Sequence, residues 1–280
     1  MMPIEFPIAH VSVFVSNILL VLAWLAYSFL VWRSLRRWAV EEDRVFDLTF
    51  YSTIFALFTA RLGFVVTHLN LFIGKSLLLI PALWIAPGLS WLGALVGGLA
   101  TLIVLCRRYK VRLGLVLDSL PVALPLPIII GETAALMSGL EIGKRTALPW
   151  AIRFVGFAGG RHPVELYEMM ALVLLSTLMV KLTTIAAAKK WAYGIVGVWF
   201  FFLYSVFMFA LEFLKESTVY WGGLTANQWI LIGIFAECIG VLYVRGGGRE
   251  SIRPITHAVH SFIAEKGKIF YATVSKRHTR

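Results

Sequence analysis

Arg161-His162-Pro163-Val164-Glu165-Leu166-Tyr167-Glu168-Met169-Met170, running straight on through Ala171-Leu172-Val173-Leu174-Leu175-Ser176-Thr177-Leu178-Met179-Val180, is the stretch that decides the kind of molecule this is. A polar loop ends at Arg-His-Pro and an apolar run begins, spanning residues 164–187. About 20 mainly apolar residues cross the hydrocarbon of a bilayer, so this run is long enough to do it. Working outward, similar runs lie at residues 11–31, 49–69, 90–106, 115–137, 192–214 and 227–244. The whole chain agrees with them: of 280 residues 59% are hydrophobic and 15% charged, with a mean hydropathy of +0.82. A soluble domain carries about 25% charged and about 45–50% apolar residues. The excess rules out a soluble enzyme, a disordered chain and a disulfide-stapled secreted module. The expected architecture is all-α, with seven transmembrane helices over residues 1–245 and a basic tail at 246–280.

A further apolar stretch, 76–86, is too short to cross and is broken by Pro81 and flanked by Pro87, so it reads as a re-entrant or interfacial segment. The basic residues fix the orientation. Arg33, Arg36, Arg37 and Arg44, then Arg107, Arg108, Lys110 and Arg112, then Lys189 and Lys190 lie in alternate linkers. The tail adds Arg245, Arg249, Arg253, Lys266, Lys268, Lys276, Arg277 and Arg280 on the same side. The other side holds only Lys75, Lys144, Arg145, Arg153, Arg161 and Lys215. Eighteen against six predicts an outside N-terminus and a cytoplasmic C-terminus. The N-terminus has no basic n-region or small-residue cleavage site, and the first span is expected to be retained. The net charge of +11 is thus a matter of topology rather than of nucleic acid. The tail reads as a basic amphipathic segment on anionic lipid. Cys106 and Cys238 fall at or in apolar runs and read as buried thiols.

Ionisable groups within a span cost several kcal/mol, about 2.5–3.5 on insertion scales, and each needs a partner or a function. Asp47 and Asp118, at helix entrances, read as caps. Arg61 and Glu132 read either as members of ion pairs inside the bundle or as parts of a site. Glu212 and Lys215 are spaced for an i,i+3 surface pair, and Glu237 for a contact between helices. Collectively, Arg61, Arg161, His162, Glu168, Glu212 and Lys215 could surround a hydrated cavity beside the long outer loop, 138–163, where guanidinium groups would hold phosphate.

The junction at 161–168 resembles the Arg-His-Pro-x-Gln-Leu-Tyr-Glu hallmark of the bacterial prolipoprotein diacylglyceryl transferases. Ala60-Arg61-Leu62-Gly63 is similar to that family's Ala-Arg-Leu-Gly. Residues 90–97, Ser-Trp-Leu-Gly-Ala-Leu-Val-Gly, line up with its Ser-Phe-His-Gly-Gly-Leu-x-Gly, and Leu148-Pro149-Trp150 with its Leu-Pro-Trp. The resemblance covers roughly residues 10–245 and implies a multi-pass protein of the bacterial inner (plasma) membrane, active in lipoprotein biosynthesis. The family moves the diacylglyceryl group of phosphatidylglycerol onto the thiol of a lipobox cysteine in a preprolipoprotein, forming a thioether and releasing glycerol phosphate. It implies no metal and no redox cofactor. Carried over residue by residue, it implies catalytic roles for His162, Tyr167, Glu168 and Glu212. It places Arg61, Glu132, Gly139, Gly143, Lys144, Arg161 and Lys215 against the substrate.

The carry-over is incomplete. The family's third-span His is Leu92 here. Its Gly-Arg-Ile-Gly-Asn-Phe-Ile-Asn-Gly-Glu-x-x-Gly-Arg signature falls on residues 131–144, where Gly131, Gly139 and Gly143 survive and Lys144 keeps the charge. Its first Arg, however, is Glu132, and its two Asn are Ala135 and Ser138. The sixth-span Arg-x-x-x-Glu-x-x-Arg becomes Met208, Glu212 and Lys215. One charge about 4 Å from a phosphate is worth about 4 kcal/mol at an effective dielectric near 20, so Glu132 works against binding phosphatidylglycerol in the family's manner. Two readings stay open. One is a divergent membrane transferase using a lipid-linked donor, with Glu132 favouring a cationic or zwitterionic head group. The other is a catalytically inactive paralogue that binds lipid or a lipoprotein signal segment. A transporter would predict broken helices in symmetric halves, and only one interrupted segment is visible.

Overall fold

The computed structural model describes residues 9–82, 85–86, 88–139, 141–154, 156–217 and 221–245. Eight α-helices account for most of them: α1 (Ala9–Arg36), α2 (Glu42–Thr67), α3 (Trp91–Arg108), α4 (Leu113–Ala123), α5 (Pro125–Ser138), α6 (Val164–Ala188), α7 (Ile195–Glu212) and α8 (Ala226–Arg245). Among the described residues there is no strand, only isolated β-bridges. Helices α1, α2, α6, α7 and α8 are each long and apolar enough to cross a membrane. The bent pair α4–α5 makes a sixth crossing if counted as one. The chain is a multi-pass helical membrane protein; the expected span at 90–106 forms the helix α3, which is not in that set, so the described residues give five or six candidate crossings where seven were expected. The basic tail at 246–280 lies outside the described residues.

The predicted single span 115–137 is broken. Helix α4 stops at Ala123, and α5 leaves it at 49°. Pro125 has no N–H to continue the ladder and its ring crowds the carbonyl four residues back; Pro127 follows within the same turn. Apolar side chains cover the outside of the bundle, as lipid contact requires, while α1 packs along α4 and α5, α2 along α3, and α7 along α4, α6 and α8. One buried cluster joins Val31 and Leu35 of α1 to Val45 and Leu48 of α2, Cys106 of α3 and Val116 of α4. A second joins Leu175 and Met179 of α6 to Val196 and Phe200 of α7. Both cysteines are buried free thiols.

Small residues bring two helices together. A methyl group on Gly97 of α3 would collide with the Thr59 side chain of α2, and one on Gly93 with the Thr59 carbonyl. Close approach through such residues is how membrane helices gain packing contacts. The entrance aspartates serve other elements rather than their own helices. Asp118 of α4 accepts from the amides of Gly194 (2.6 Å) and Gly197 (3.0 Å), capping α7. Asp47 accepts from the Tyr109 hydroxyl at 2.5 Å. Glu237 is exposed on α8 rather than set between helices.

Candidate functional site

Helix α5 ends at Gly139, whose φ of +60° is the left-handed conformation that closes a helix and suits glycine. From there the loop between α5 and α6 folds back on its neighbours through backbone bonds. The Lys144 amide donates to Leu214 O (2.7 Å), Glu216 to Ile142 O (2.8 Å), His162 to Lys144 O (3.1 Å) and Thr146 to Gly160 O (2.9 Å). Arg161 and Ile152 exchange a pair of bonds at 2.9 and 3.0 Å. Gly143 lies so close to the His162 carbonyl that any side chain would displace it. These bonds tie three pieces of chain together: the loop at 141–146, the start of α6 and the end of α7.

Charged groups converge there. The Lys215 ammonium, on a side chain only 9% exposed, pairs with Glu141 of the loop, with Glu168 Oε1 of α6 (2.8 Å) and with Glu212 Oε2 of α7 (3.6 Å). Burial alone would lower the pKa of Lys215. The facing carboxylates, Glu168 first and Glu141 next, outweigh burial and hold it above the usual lysine range. Glu212 also accepts from Thr225 Oγ1 (3.0 Å) and Asn227 Nδ2 (3.3 Å) at the start of α8. The i,i+3 spacing of Glu212 and Lys215 suits a surface pair as well as a shared site; Glu212 is buried and Lys215 half-buried, because the loop and α8 close over the end of α7.

Glu132 of α5 joins the same group: carboxylate oxygens of Glu132, Glu141 and Glu168 all lie within 4.8 Å of one another. Arg161 is buried, donates to Gly143 O at 3.0 Å, pairs with Glu216 and lies 4.8 Å from the ring of Phe157. His162 stands at the rim, its Nδ1 3.3 Å from the Tyr167 hydroxyl, which accepts from the exposed Trp150 indole at 2.7 Å. Lys144 is exposed.

Arg61 has a different setting. Its guanidinium donates to the carbonyls of Leu79 (3.1 Å), Ile80 (2.5 Å), Ala86 (2.8 Å) and Gly88 (2.9 Å), between the rings of Phe64 and Phe72. Four of its five donors are thus used, three of them holding the short apolar segment at 76–86 against the end of α2. An ion pair between Arg61 and Glu132 is not what the structure shows. Leu77, 79% exposed, Leu78 and Ile85 project from that segment, as an interfacial element requires.

The structure therefore brings Glu132, Glu141, Glu168, Glu212 and Lys215 into one cluster, while Arg161 pairs with Glu216 and His162 faces Tyr167. Three acidic residues here were not among the candidates read from sequence, Glu141, Glu165 and Glu216, and Trp150 stood there only as part of a motif. Glu165 was within reach of sequence reasoning, since it precedes Glu168 by three residues and so shares its helix face. Glu141 and Glu216 lie in loops, where no periodicity announces a partner.

A family model described as prolipoprotein diacylglyceryl transferase matches residues 3–244. Among curated proteins, phosphatidylglycerol–prolipoprotein diacylglyceryl transferases are similar. That of a Wolbachia species from Brugia malayi is 26% identical over 219 residues, covering 72% of this chain and 81% of the relative. That of Bordetella parapertussis is 30% identical over 192 residues, covering 66% and 72%. That of Geobacter sulfurreducens is 28% identical over 218 residues, covering 76% and 82%.

Proposed function

Because the chain belongs to the prolipoprotein diacylglyceryl transferase family, we propose that it draws a phospholipid from the outer leaflet of a bacterial inner membrane and transfers its diacylglyceryl group, or another lipid-linked group, to an acceptor. Phosphatidylglycerol is the donor that the relatives' names carry. A preprolipoprotein signal segment is the acceptor in keeping with the family. The arrangement proposed is seven crossings, α3 included, with the N-terminus outside. The loop at 138–163 then sits on the outer side.

The observation that supports this reading is the pairing of His162 Nδ1 with the Tyr167 hydroxyl beside a buried ionic network. In the transfer, an acceptor thiol gives its proton to the His162 imidazole. The thiolate attacks the glyceryl carbon, and the C–S bond forms as the C–O bond to phosphate breaks. Glycerol phosphate leaves with the electron pair. Arg161 and Lys215 face the departing phosphate, since cations placed where charge develops lower the barrier. Arg61 acts at one remove, holding the segment at 76–86 as a wall. Gly139 and Gly143 keep the loop close to α6, and Lys144 meets the head group from the solvent side.

A second reading, lipid or signal-segment binding without turnover, is favoured by one observation: Arg161 and Lys215 are already paired with carboxylates. The two separate in one experiment. Purified protein given labelled phosphatidylglycerol and a lipobox peptide is expected to yield a thioether product, and His162→Ala to reduce the rate at least 100-fold, the scale of general-base catalysis. No product, with a defined lipid retained in native mass spectrometry, would establish the binding reading instead.

A further inference from the structure

Two charged side chains stand on the outer surface of the spans. Lys181 is exposed on α6, and Glu237 is exposed on α8. Neither makes an ion pair or a hydrogen bond among the described residues. Both helices are long and apolar enough to cross a membrane. An ionisable group at that level is costly, and such groups are retained where a partner meets them. Lysine relieves part of the cost by stretching its stem toward the head groups. Glutamate is shorter and reaches less far.

The two residues lie at the same depth. Helices α6, α7 and α8 follow one another as crossings, so α6 and α8 run in the same direction. Lys181 stands before the end of α6 at Ala188, and Glu237 before the end of α8 at Arg245. At about 1.5 Å per residue, each is about 10–12 Å from that end. Copies of one chain inserted the same way are related by rotation about the membrane normal, so a residue meets only residues at its own depth. Lys181 and Glu237 satisfy that condition, with opposite charges. Within one chain they form no pair, and α7 packs against both of their helices.

The surroundings suit a contact between helices. Thr177, Lys181 and Thr184 are exposed along one row of α6, and Gly233, Glu237 and Gly240 along one row of α8, with the same i, i+4, i+7 spacing. A methyl group on Gly233 or Gly240 would meet nothing within 4 Å, so the row around Glu237 is open to a neighbour. Small residues there let helix backbones approach. Thr177 and Thr184 return their hydroxyls to their own helix, at Val173 O (2.9 Å) and Val180 O (3.0 Å), and add little bulk beside Lys181.

We propose that a second copy of this chain docks on these rows, Lys181 of one copy pairing with Glu237 of the other. A second copy is the occupant that the charges select, because it supplies both members of the pair at one depth. Such assembly does not depend on the transfer chemistry.

The test uses the full-length protein carrying a fluorophore, reconstituted in vesicles of phosphatidylethanolamine and phosphatidylglycerol. Single-molecule photobleaching counts the copies over a range of protein-to-lipid ratios. The wild-type chain is expected to pass from single copies to assemblies as its density rises. Lys181→Gln and Glu237→Gln should each raise the density required by about tenfold, the scale of one polar contact between membrane helices. Lys181→Glu combined with Glu237→Lys in one chain should restore assembly. Gly233→Leu, which adds bulk and no charge, should weaken it. Thermal melting checks that each variant is folded. A wild-type chain that stays single at every density overturns the proposal, as does assembly that both glutamine variants retain. Assembly lost in the single variants and not restored by the exchange overturns the pairing of these two residues.

Discussion

Arg61 shows what a buried cation in a membrane helix can be for. Arg61 is 6% exposed, and its guanidinium donates to the backbone carbonyls of Leu79, Ile80, Ala86 and Gly88, none of them in an α-helix. A hydrogen bond to a charged group is worth about 1.5–3 kcal/mol, and unmade bonds cost about as much. Arg61→Ala should therefore lower the stability by about 3 kcal/mol or more and open the segment at 76–86 to protease. Arg61→Lys keeps the charge but loses the planar fork, and is expected to recover little of that stability. If instead Arg61→Lys restored melting and lipid retention fully, a phosphate contact would be its role. The sequence showed this residue as an anomaly needing a partner. It did not show which partner, because carbonyl acceptors belong to every residue and leave no mark in side-chain identity. Glu212 and Lys215 teach the same lesson, since i,i+3 spacing says that they meet and nothing about what covers them.

At the scale of elements, apolar run lengths located the five long apolar helices and the bent pair α4–α5, and the Ser90-to-Gly97 motif gains a physical meaning. Its glycines let α3 approach α2 over Thr59. Gly97→Ala should force the two helices apart and cost about 1–3 kcal/mol, the usual scale of overpacking. Thr59→Ala in the same chain should return most of it, a coupling of about 0.5–3 kcal/mol measurable by thermal unfolding of the four variants in a cycle. Additive losses would mean that the clash lies elsewhere. The break between α4 and α5 was not legible, although Pro121, Pro125 and Pro127 stand in the run. Membrane helices tolerate proline when neighbouring groups re-satisfy the backbone, so hydropathy runs straight through a kink. The bend matters for the site, because α5 carries Glu132 to Glu168 on α6.

For the whole molecule the decisive property is which side the loop at 138–163 faces, since lipid donor and acceptor must reach the same network. Charge bias is a sum over many residues and survives local errors, which is why orientation can be argued from sequence while the pairing of individual carboxylates cannot. The bundle makes a direct test clean. Both native cysteines are buried, so an introduced surface thiol is the main target for a maleimide. Arg153, in the loop between α5 and α6, and Lys190, in the turn between α6 and α7, are both exposed. Arg153→Cys should react with a membrane-impermeant maleimide in intact bacterial cells. Lys190→Cys should react only after the membrane is opened. The opposite pattern would place the Lys215 network on the cytoplasmic side. A donor from the outer leaflet would then be out of reach, and His162 could not take a proton from an acceptor presented there.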